Sequence, residues 1–176
     1  IELCLVGSEM CIRDRYEAMK DFATNELLPL SQNELNKKDE KLIRNLVEQL
    51  GELGFLGIDV PEKYGGSEMT KTGLCILAEG ISFCGSPSFC TVWNVQTSIG
   101  SLGIIWYGND EQKKKWLPGI CSGEKIAAFG LTEPEAGSDA TNSKTTGVLS
   151  DDGKHYIVTV SYTHLRAHET QYDLVC

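Results

Sequence analysis

The residues best suited to chemistry lie in one short stretch, residues 128–139, which reads AFGLTEPEAGSD. The sequence is apolar over residues 126–131 and turns polar at Thr132, which predicts a buried strand that ends where a loop begins. Pro134 fixes its own φ and favours an extended conformation at Glu133, so the peptide groups nearby are left without helical partners. An extended backbone of this kind can pair with a flat ligand.

The end of the same stretch offers groups that suit an anionic oxygen. Gly137 permits close approach or a positive φ, and Ser138 provides a hydroxyl and an amide that can both donate hydrogen bonds. An extended edge beside an anion-binding turn suits a nucleotide cofactor. The same residue types also form ordinary connections between a strand and a turn, so residue types alone leave both interpretations open.

A longer sequence motif favours the nucleotide site over an ordinary connection between a strand and a turn. The pattern L-T-E-P-x-A-G-S-D at residues 131–139, preceded by an aromatic at Phe129, resembles the signature of the acyl-CoA dehydrogenase family. Y-G-G at residues 64–66 and G-x-x-x-Q-K-x-x-x-L-P at residues 108–118 are similar to further family patterns. The resemblance covers residues 16–158, in the family's order and with plausible spacing.

The resemblance implies a binding site for FAD. By position, Phe129, Leu131 and Thr132 would line and hydrogen-bond the flavin ring. Gly137 and Ser138 would contact the pyrophosphate, and Ser138 would also face the acyl-CoA substrate. Dipoles fixed around a flavin tune its hydride acceptance, and a buried site excludes water.

The resemblance implies no catalytic residue within this chain. The family's glutamate base lies in a C-terminal helical bundle that the chain lacks, so we expect the chain itself to be inactive and its full-length parent to be a dehydrogenase. Glu133 is a carboxylate close to the predicted site, but its place between Thr132 and Pro134 suits a role in supporting the backbone.

The implied reaction oxidises an acyl-CoA thioester to the 2-enoyl-CoA, as in fatty-acid β-oxidation, with electron-transfer flavoprotein as the acceptor. A homo-oligomer is implied when the protein is full length, in the cytoplasm of a bacterium or in the mitochondrial matrix of a eukaryote. Two alternatives remain open: an acyl-CoA oxidase, which passes electrons to oxygen, and a non-catalytic acyl-CoA-binding relative.

Apolar periodicity predicts a series of helices upstream of this stretch. The pattern predicts one buried helix over residues 88–107. Gly100 and Gly103 weaken it, so we expect either that packing holds it together or that it breaks near them. The other predicted helices cover residues 16–28, 39–53 and 71–83, and a last one begins at Asn109 and ends at Pro118. A polar linker is predicted at residues 31–38.

Downstream of the stretch the pattern becomes extended. Strands are predicted at residues 145–150 and 155–158, joined through Asp151 and a two-residue turn at Asp152 and Gly153. The fold class is therefore α+β, with an all-α N-terminal domain at residues 16–124 and the start of a β middle domain at residues 125–159. The resemblance implies that this middle domain is β-barrel-like.

The two ends of the chain do not resemble globular sequence. Residues 1–15 and 160–176 are similar to translated sequencing-adaptor read-through, so we expect both to be foreign and exclude them from the fold. His164 and His168 have metal-ligand spacing, but no Cys or carboxylate set accompanies them, so no metal site is predicted. Cys4, Cys11 and Cys176 fall in the excluded ends.

Composition limits the remaining functions. The net charge is −9, and an acidic chain without a basic stripe argues against nucleic-acid binding. No apolar run reaches the length of a membrane span. The remaining cysteines sit in apolar runs without C-x-x-C spacing, which predicts reduced, buried thiols. They are Cys75, Cys84, Cys90 and Cys121.

Overall fold

The computed structural model describes the backbone of residues 2–30 and 39–159, and side chains from residue 12 onward. Its residues form two compact units, Ile1–Phe129 and Gly130–Cys176. The predicted linker at residues 31–38 and the predictions for residues 160–176, including His164 and His168, lie outside the described residues. The predicted domain limits, and the foreign origin of both ends, stay predictions.

All the regular secondary structure in the described part of the first unit is helical. Its α-helices are α1 (Glu2–Phe22), α2 (Glu40–Glu52), α3 (Lys71–Ser82), α4 (Pro87–Thr97), α5 (Ile99–Tyr107) and α6 (Asp110–Ser122). A π-helical turn, Ala23–Leu27, extends α1, and a 3₁₀ turn covers Glu62–Tyr64. Helix α1 packs against α3, while α6 contacts both α2 and α5.

Local capping signals set the helix ends that the sequence predicts. Asp39 accepts hydrogen bonds from the backbone N–H groups of Lys41 and Leu42, and Gly54 follows α2 with a φ of 74°. Asn109 and Gln112 form a reciprocal capping box at the start of α6. These predictions are confirmed because each depends on residues within one turn of the helix end.

Helix α1 begins earlier than predicted. The helical conformation ends next to Leu28 as expected, but it starts at Glu2 instead of Tyr16. The predicted start came from excluding residues 1–15, and no local stop signal separates them from Tyr16. Arg15, within that excluded stretch, donates hydrogen bonds to the Gly54 carbonyl at 3.4 Å and to the Ser67 hydroxyl at 3.2 Å.

The helix predicted over residues 88–107 is broken into two helices, α4 and α5, and a break near Gly100 was one of the two expected outcomes. They meet at Ser98, whose φ of −125° and ψ of −102° are not helical. The predicted burial is wrong for α5, because Trp106 is 61% exposed and Tyr107 is 85% exposed. Apolar composition indicates that a helix can be buried, but burial also needs an element that packs against it. Little of the first unit packs against the part of α5 that contains Trp106 and Tyr107.

The predicted end of the last helix is also wrong, because α6 continues through Pro118 to Ser122 and ends at Gly123 with a φ of 81°. Proline removes one helical hydrogen bond. The turn that contains it buries Leu117, Ile120 and Cys121, and this burial outweighs the loss. The lysines at residues 113–115 consequently lie in the first half of the helix and do not complement its negative end.

The main hydrophobic core of the first unit forms where one face of each of the helices α1 to α4 packs together. Met19, Leu50 and Leu77 are fully buried there, and each burial of this kind stabilises the fold by about 1.5–3 kcal/mol. Trp93 is buried as well, and its indole N–H donates to the Phe55 carbonyl at 2.9 Å. This hydrogen bond satisfies the one polar atom of the ring and fixes the loop after α2.

The second unit contains an antiparallel hairpin of β1 (Thr146–Leu149) and β2 (Tyr156–Thr159), with Thr146 opposite Thr159. The hairpin is confirmed, but its turn is longer than the predicted two residues. The Gly153 N–H donates to the Ser150 carbonyl at 2.9 Å, so Asp151 and Asp152 occupy the centre and Gly153 takes a φ of 68°. The α+β class, a helical domain followed by the first strands of a sheet, is confirmed.

Within the described residues, each helix is too short or too polar to span a lipid bilayer.

Candidate functional site

The stretch leading into the predicted site is irregular and does not form the predicted buried strand. No residue of 126–131 belongs to a strand, and the exposed fractions of Ile126, Phe129 and Leu131 are 46%, 55% and 46%. A strand needs a hydrogen-bonding neighbour as well as apolar residues. The two strands of the described residues pair only with each other, so no neighbour is provided to this stretch.

The peptide groups just before the turn are open. Leu131 and Thr132 make no backbone hydrogen bond to any other described residue, and the Thr132 hydroxyl is likewise without a recorded partner there. Both residues are exposed. They therefore present donors and acceptors that a flat ligand can pair with at low desolvation cost.

A short turn follows these open groups, formed by residues 133–136, which we name the Glu133 turn. The Glu133 N–H donates to the Ala136 carbonyl at 3.0 Å, and the Ala136 N–H donates back at 3.2 Å. Glu133 and Ala136 are both buried, whereas Pro134 and Glu135 between them are exposed. The reciprocal pair closes the turn and so fixes where the chain leaves it.

The Glu133 carboxylate joins this turn to the chain before β1. Its oxygens accept the backbone N–H of Lys144 at 2.6 Å and that of Thr145 at 3.0 Å, and also the Thr145 hydroxyl. These hydrogen bonds, chiefly the one from the Thr145 hydroxyl, hold the pKa of Glu133 below its ordinary value of 4.5. A carboxylate used in this way supports the backbone and is poorly suited to act as a general base.

The anion-binding groups predicted after the turn are accessible. Gly137 and Ser138 are exposed, and a Cβ built on Gly137 would meet no atom within 4 Å. The φ of Gly137 lies outside the left-handed region, so close approach, and not a special turn, is what glycine permits here. Ser138 makes no hydrogen bond to another described group, which leaves its N–H and hydroxyl available to a phosphate oxygen.

The second unit therefore holds four of the five predicted cofactor residues on the two sides of one turn. Leu131 and Thr132 precede the Glu133 turn, and Gly137 and Ser138 follow it. Phe129 belongs to the first unit, where its ring is 55% exposed. The open donors and the accessible glycine suit a dinucleotide that has both a flat ring and phosphate oxygens.

Two features of this region were missed by sequence reasoning. One is the pairing of Glu133 with Lys144 and Thr145, which joins residues eleven and twelve positions apart and leaves no local pattern. The other is Gln96, a fully buried amide in α4 that bonds to the chain just before Phe129. A lone polar residue among apolar neighbours in a helix was the available signal for Gln96, since such a side chain must find partners.

The side chains of the described residues contain no cluster of three His, Cys, Asp or Glu that could bind a metal ion.

Comparison with known proteins gives consistent matches. The model of the acyl-CoA dehydrogenase N-terminal domain matches residues 13–124, which is more than half of the chain. A probable acyl-CoA dehydrogenase of Bacillus subtilis is 46% identical over 140 residues, a match that covers 80% of this chain and 23% of that protein.

Two solved structures share the fold. The crystal structure of an acyl-CoA dehydrogenase complexed with FAD from Bacillus anthracis is 41% identical, with a TM-score of 0.77 over 84% of this chain and 25% of that one. A structure described as an electron transferring flavoprotein of Acidaminococcus fermentans is 33% identical, with a TM-score of 0.70. The match covers 84% of this chain and 37% of that one. The chain thus spans well under half of the length of these relatives.

Proposed function

The chain belongs to the acyl-CoA dehydrogenase family, and from this we propose that it is part of an FAD-dependent enzyme that oxidises acyl-CoA thioesters to 2-enoyl-CoA. The proposed setting is fatty-acid β-oxidation. The observation that supports a cofactor site in this part of the enzyme is the arrangement around the Glu133 turn. Open peptide groups lie on one side of it, and an accessible Gly137 and Ser138 lie on the other.

The proposed roles follow from the groups that each residue offers. Phe129 and Leu131 would pack apolar side chains against the isoalloxazine ring, since both are about half exposed. Thr132 would donate hydrogen bonds to polar edge atoms of the ring through its N–H and hydroxyl. Gly137 would donate its backbone N–H to the pyrophosphate, and Ser138 would donate both its N–H and its hydroxyl to it while also facing the acyl-CoA.

FAD, when bound, would supply the acceptor for the hydride that leaves the β-carbon of the acyl group. The residues of this chain hold and orient the ring and restrict the access of water to it. The proton on the α-carbon must leave to a base. Glu133 is occupied by its backbone donors, so we place the catalytic glutamate in the portion of the relatives that this chain does not span.

The electron acceptor is proposed to be an electron-transfer flavoprotein. This proposal rests on the family to which the chain belongs. A homo-oligomer is proposed for the complete enzyme, in the cytoplasm of a bacterium or the mitochondrial matrix of a eukaryote. A complex between the purified enzyme and such a flavoprotein, measured by acyl-CoA-dependent reduction of the flavoprotein, is the test of the acceptor.

The test of the cofactor site uses the full-length product of the parent gene, which we name the complete enzyme. We expect it to purify with FAD and to oxidise acyl-CoA without oxygen when an electron acceptor is supplied. Ser138→Ala should weaken FAD binding about tenfold or more, because a hydrogen bond to a charged group is lost.

Ser143→Ala is the matched control, since within the part of the chain that the structure describes the Ser143 hydroxyl bonds only to the Ala140 carbonyl, at 2.8 Å. Equal affinities for FAD in the two variants would contradict the proposed site. Stoichiometric oxygen consumption would assign the enzyme to the oxidases instead. Turnover of acyl-CoA by the 176-residue chain alone would contradict the proposed location of the base.

A further inference from the structure

Gln96 is a completely buried amide that bonds to three backbone groups outside its own helix. Its Nε2 donates to the carbonyl oxygens of Ile120 at 3.0 Å and Lys125 at 2.8 Å, and its Oε1 accepts the Ala127 N–H at 2.7 Å. The partners lie at the end of α6 and in the segment that follows it. One side chain of α4 therefore fixes the path of residues 125–127.

The pattern of donors and acceptors permits only one orientation of the amide. The NH₂ group faces two carbonyls and the oxygen faces one N–H, so rotating the amide by half a turn would oppose oxygen to oxygen and nitrogen to nitrogen. The Gln96 side chain is fully buried, its contact with Ile120 is buried, and its contacts with Lys125 and Ala127 are partly buried, so an unmatched contact would be costly. Neither an apolar residue nor a glutamate satisfies the same three groups.

Two further contacts hold the same segment in place. The Lys125 N–H donates to the Gly119 carbonyl at 2.9 Å. Gly100 of α5 lies so close that an added Cβ would approach the Ala127 Cβ to 2.9 Å. Gly100 therefore serves close packing against the segment, while a Cβ on Gly103 would meet nothing within 4 Å. The segment is thus fixed by α4, α5 and α6 together.

We propose that Gln96 is a positioning residue for the flavin, acting through residues 125–127 on Phe129, two positions beyond Ala127. This inference rests on the proposed function, because it assigns Gln96 to the placement of a cofactor-contacting ring. Among the described residues, no strand pairs with residues 126–131. Side-chain hydrogen bonds therefore hold this segment in place of the backbone hydrogen bonds that a neighbouring strand would make. Gln96 supplies two hydrogen bonds to residues 125–127, at the Lys125 carbonyl and the Ala127 N–H, and a third that ties them to Ile120 of α6.

The test compares Gln96→Met with Thr97→Val in the complete enzyme. Methionine keeps the length and most of the volume of glutamine but removes all three hydrogen bonds. Thr97 is the neighbouring residue of α4 and is also buried, and among the described residues its hydroxyl bonds only to Trp93 and Asn94 of the same helix. Both variants lose buried hydrogen bonds, so a general loss of stability affects both, while only Gln96→Met releases residues 125–127.

Two measurements decide the proposal. Hydrogen exchange at the Lys125 amide, which bonds to Gly119 and not to Gln96, should become about tenfold faster in Gln96→Met and stay unchanged in Thr97→Val. The dissociation constant for FAD, from quenching of flavin fluorescence, should rise about tenfold in Gln96→Met and less than about twofold in Thr97→Val. The flavin absorption band should also shift in the first variant alone.

Unchanged exchange at Lys125 in Gln96→Met would overturn the proposal, and so would FAD affinities that fall equally in both variants. These outcomes leave the proposed function intact if the unmodified enzyme binds FAD. If the unmodified enzyme binds no FAD, the proposed function fails and the cofactor role of Gln96 fails with it. In that case exchange at Lys125 still shows whether Gln96 fixes the segment.

Discussion

The Glu133 carboxylate accepts the backbone N–H of Lys144 with 2.6 Å between oxygen and nitrogen, and this contact joins the predicted flavin segment to the chain entering β1. The Thr145 N–H and hydroxyl complete the set of donors. The acidic residue inside the family-like motif is thereby explained as a structural acceptor. It fixes the Glu133 turn, on whose two sides the open donors lie.

Replacing Glu133 with Gln should loosen this turn. The glutamine NH₂ would face one of the backbone donors and repel it, so exchange of the Lys144 and Thr145 amides should accelerate severalfold. Glu135→Gln is the matched control, because Glu135 is exposed and has no recorded hydrogen bond among the described residues. Equal protection of the two amides in both variants would refute the role of Glu133.

The same carboxylate predicts a dependence of local order on pH. Hydrogen bonds from Thr145 and Lys144 lower the pKa of Glu133 below 4.5 in the folded chain. Its contribution is therefore complete above pH 4.5 and disappears as the pH falls through the lowered pKa. Amide exchange or NMR shifts of Lys144 and Thr145, followed from neutral to acidic pH, should change in that acidic window, and a transition near neutral pH would contradict this assignment.

Tyr64→Phe should change the titration of Asp110. The buried Tyr64 donates its hydroxyl to Asp110 Oδ1 at 2.7 Å, and this bond, followed by the charge of Lys63, holds the pKa of Asp110 below its ordinary value of 3.8. Removing the hydroxyl should raise the pKa of Asp110 toward that value, as measured by NMR of its side-chain carboxyl. The control is Tyr107→Phe at an 85% exposed ring, and a matching shift there would exclude a specific effect.

Pro118→Ala should stabilise the first unit. Interior proline costs a helix about 3 kcal/mol, and alanine restores the missing N–H at an exposed position of α6. Without the proline the unfolded chain has more conformational freedom, which stabilises the unfolded state by up to about 1 kcal/mol. The free energy of unfolding should therefore increase by about 2 kcal/mol. Urea denaturation measures it against Lys115→Ala, an exposed change in the same helix. A loss of stability would mean that the helix does not pass through residue 118.

The cysteines should differ in reactivity. Cys75 is exposed, which corrects its predicted burial, whereas Cys84 and Cys121 are buried as predicted and Cys90 is half-buried. The position of Cys75 on the outer face of α3 explains the difference, because an apolar run in a helix also covers the solvent side. Burial, followed by the contact with Cys84, raises the pKa of Cys90 to about 12, and burial raises the pKa of Cys121 to about 11.

Iodoacetamide at neutral pH should therefore label Cys75 well before Cys90 and Cys121, as peptide mass mapping can show, because the thiolate is the reactive form. Denaturation in urea should make the rates similar and serves as the control. The Sγ atoms of Cys84 and Cys90 lie 3.5 Å apart as free thiols. Labelling of native Cys90 as fast as that of Cys75 would contradict the assigned burial.

Much of the fold could be predicted from the sequence because its signals are local. Asp39, Asn109 and Gly54 mark helix ends through backbone groups within one turn, and the hairpin is predicted by two extended runs around a glycine-containing turn. The predicted cofactor residues were named from a contiguous motif, and their roles remain predictions. Local signals identify elements without knowledge of the surfaces that pack against them.

The errors share a different cause. Ile126, Phe129 and Leu131 are apolar but exposed, α5 is apolar but has exposed aromatic rings, and α6 passes through Pro118. In each case the outcome depends on an opposing surface that is distant in the sequence. Periodicity and propensity contain no information about that surface.

The sequence by itself determined the family resemblance, the existence of most helices, the caps at Asp39 and Asn109, and the hairpin, because motifs and caps are set by neighbouring residues. Only the tertiary structure decided which apolar faces are covered, that Glu133 is saturated by Lys144 and Thr145, and that Gln96 fixes residues 125–127. Those outcomes depend on matching donors to acceptors and surfaces to surfaces across many residues, and only the folded chain brings them together.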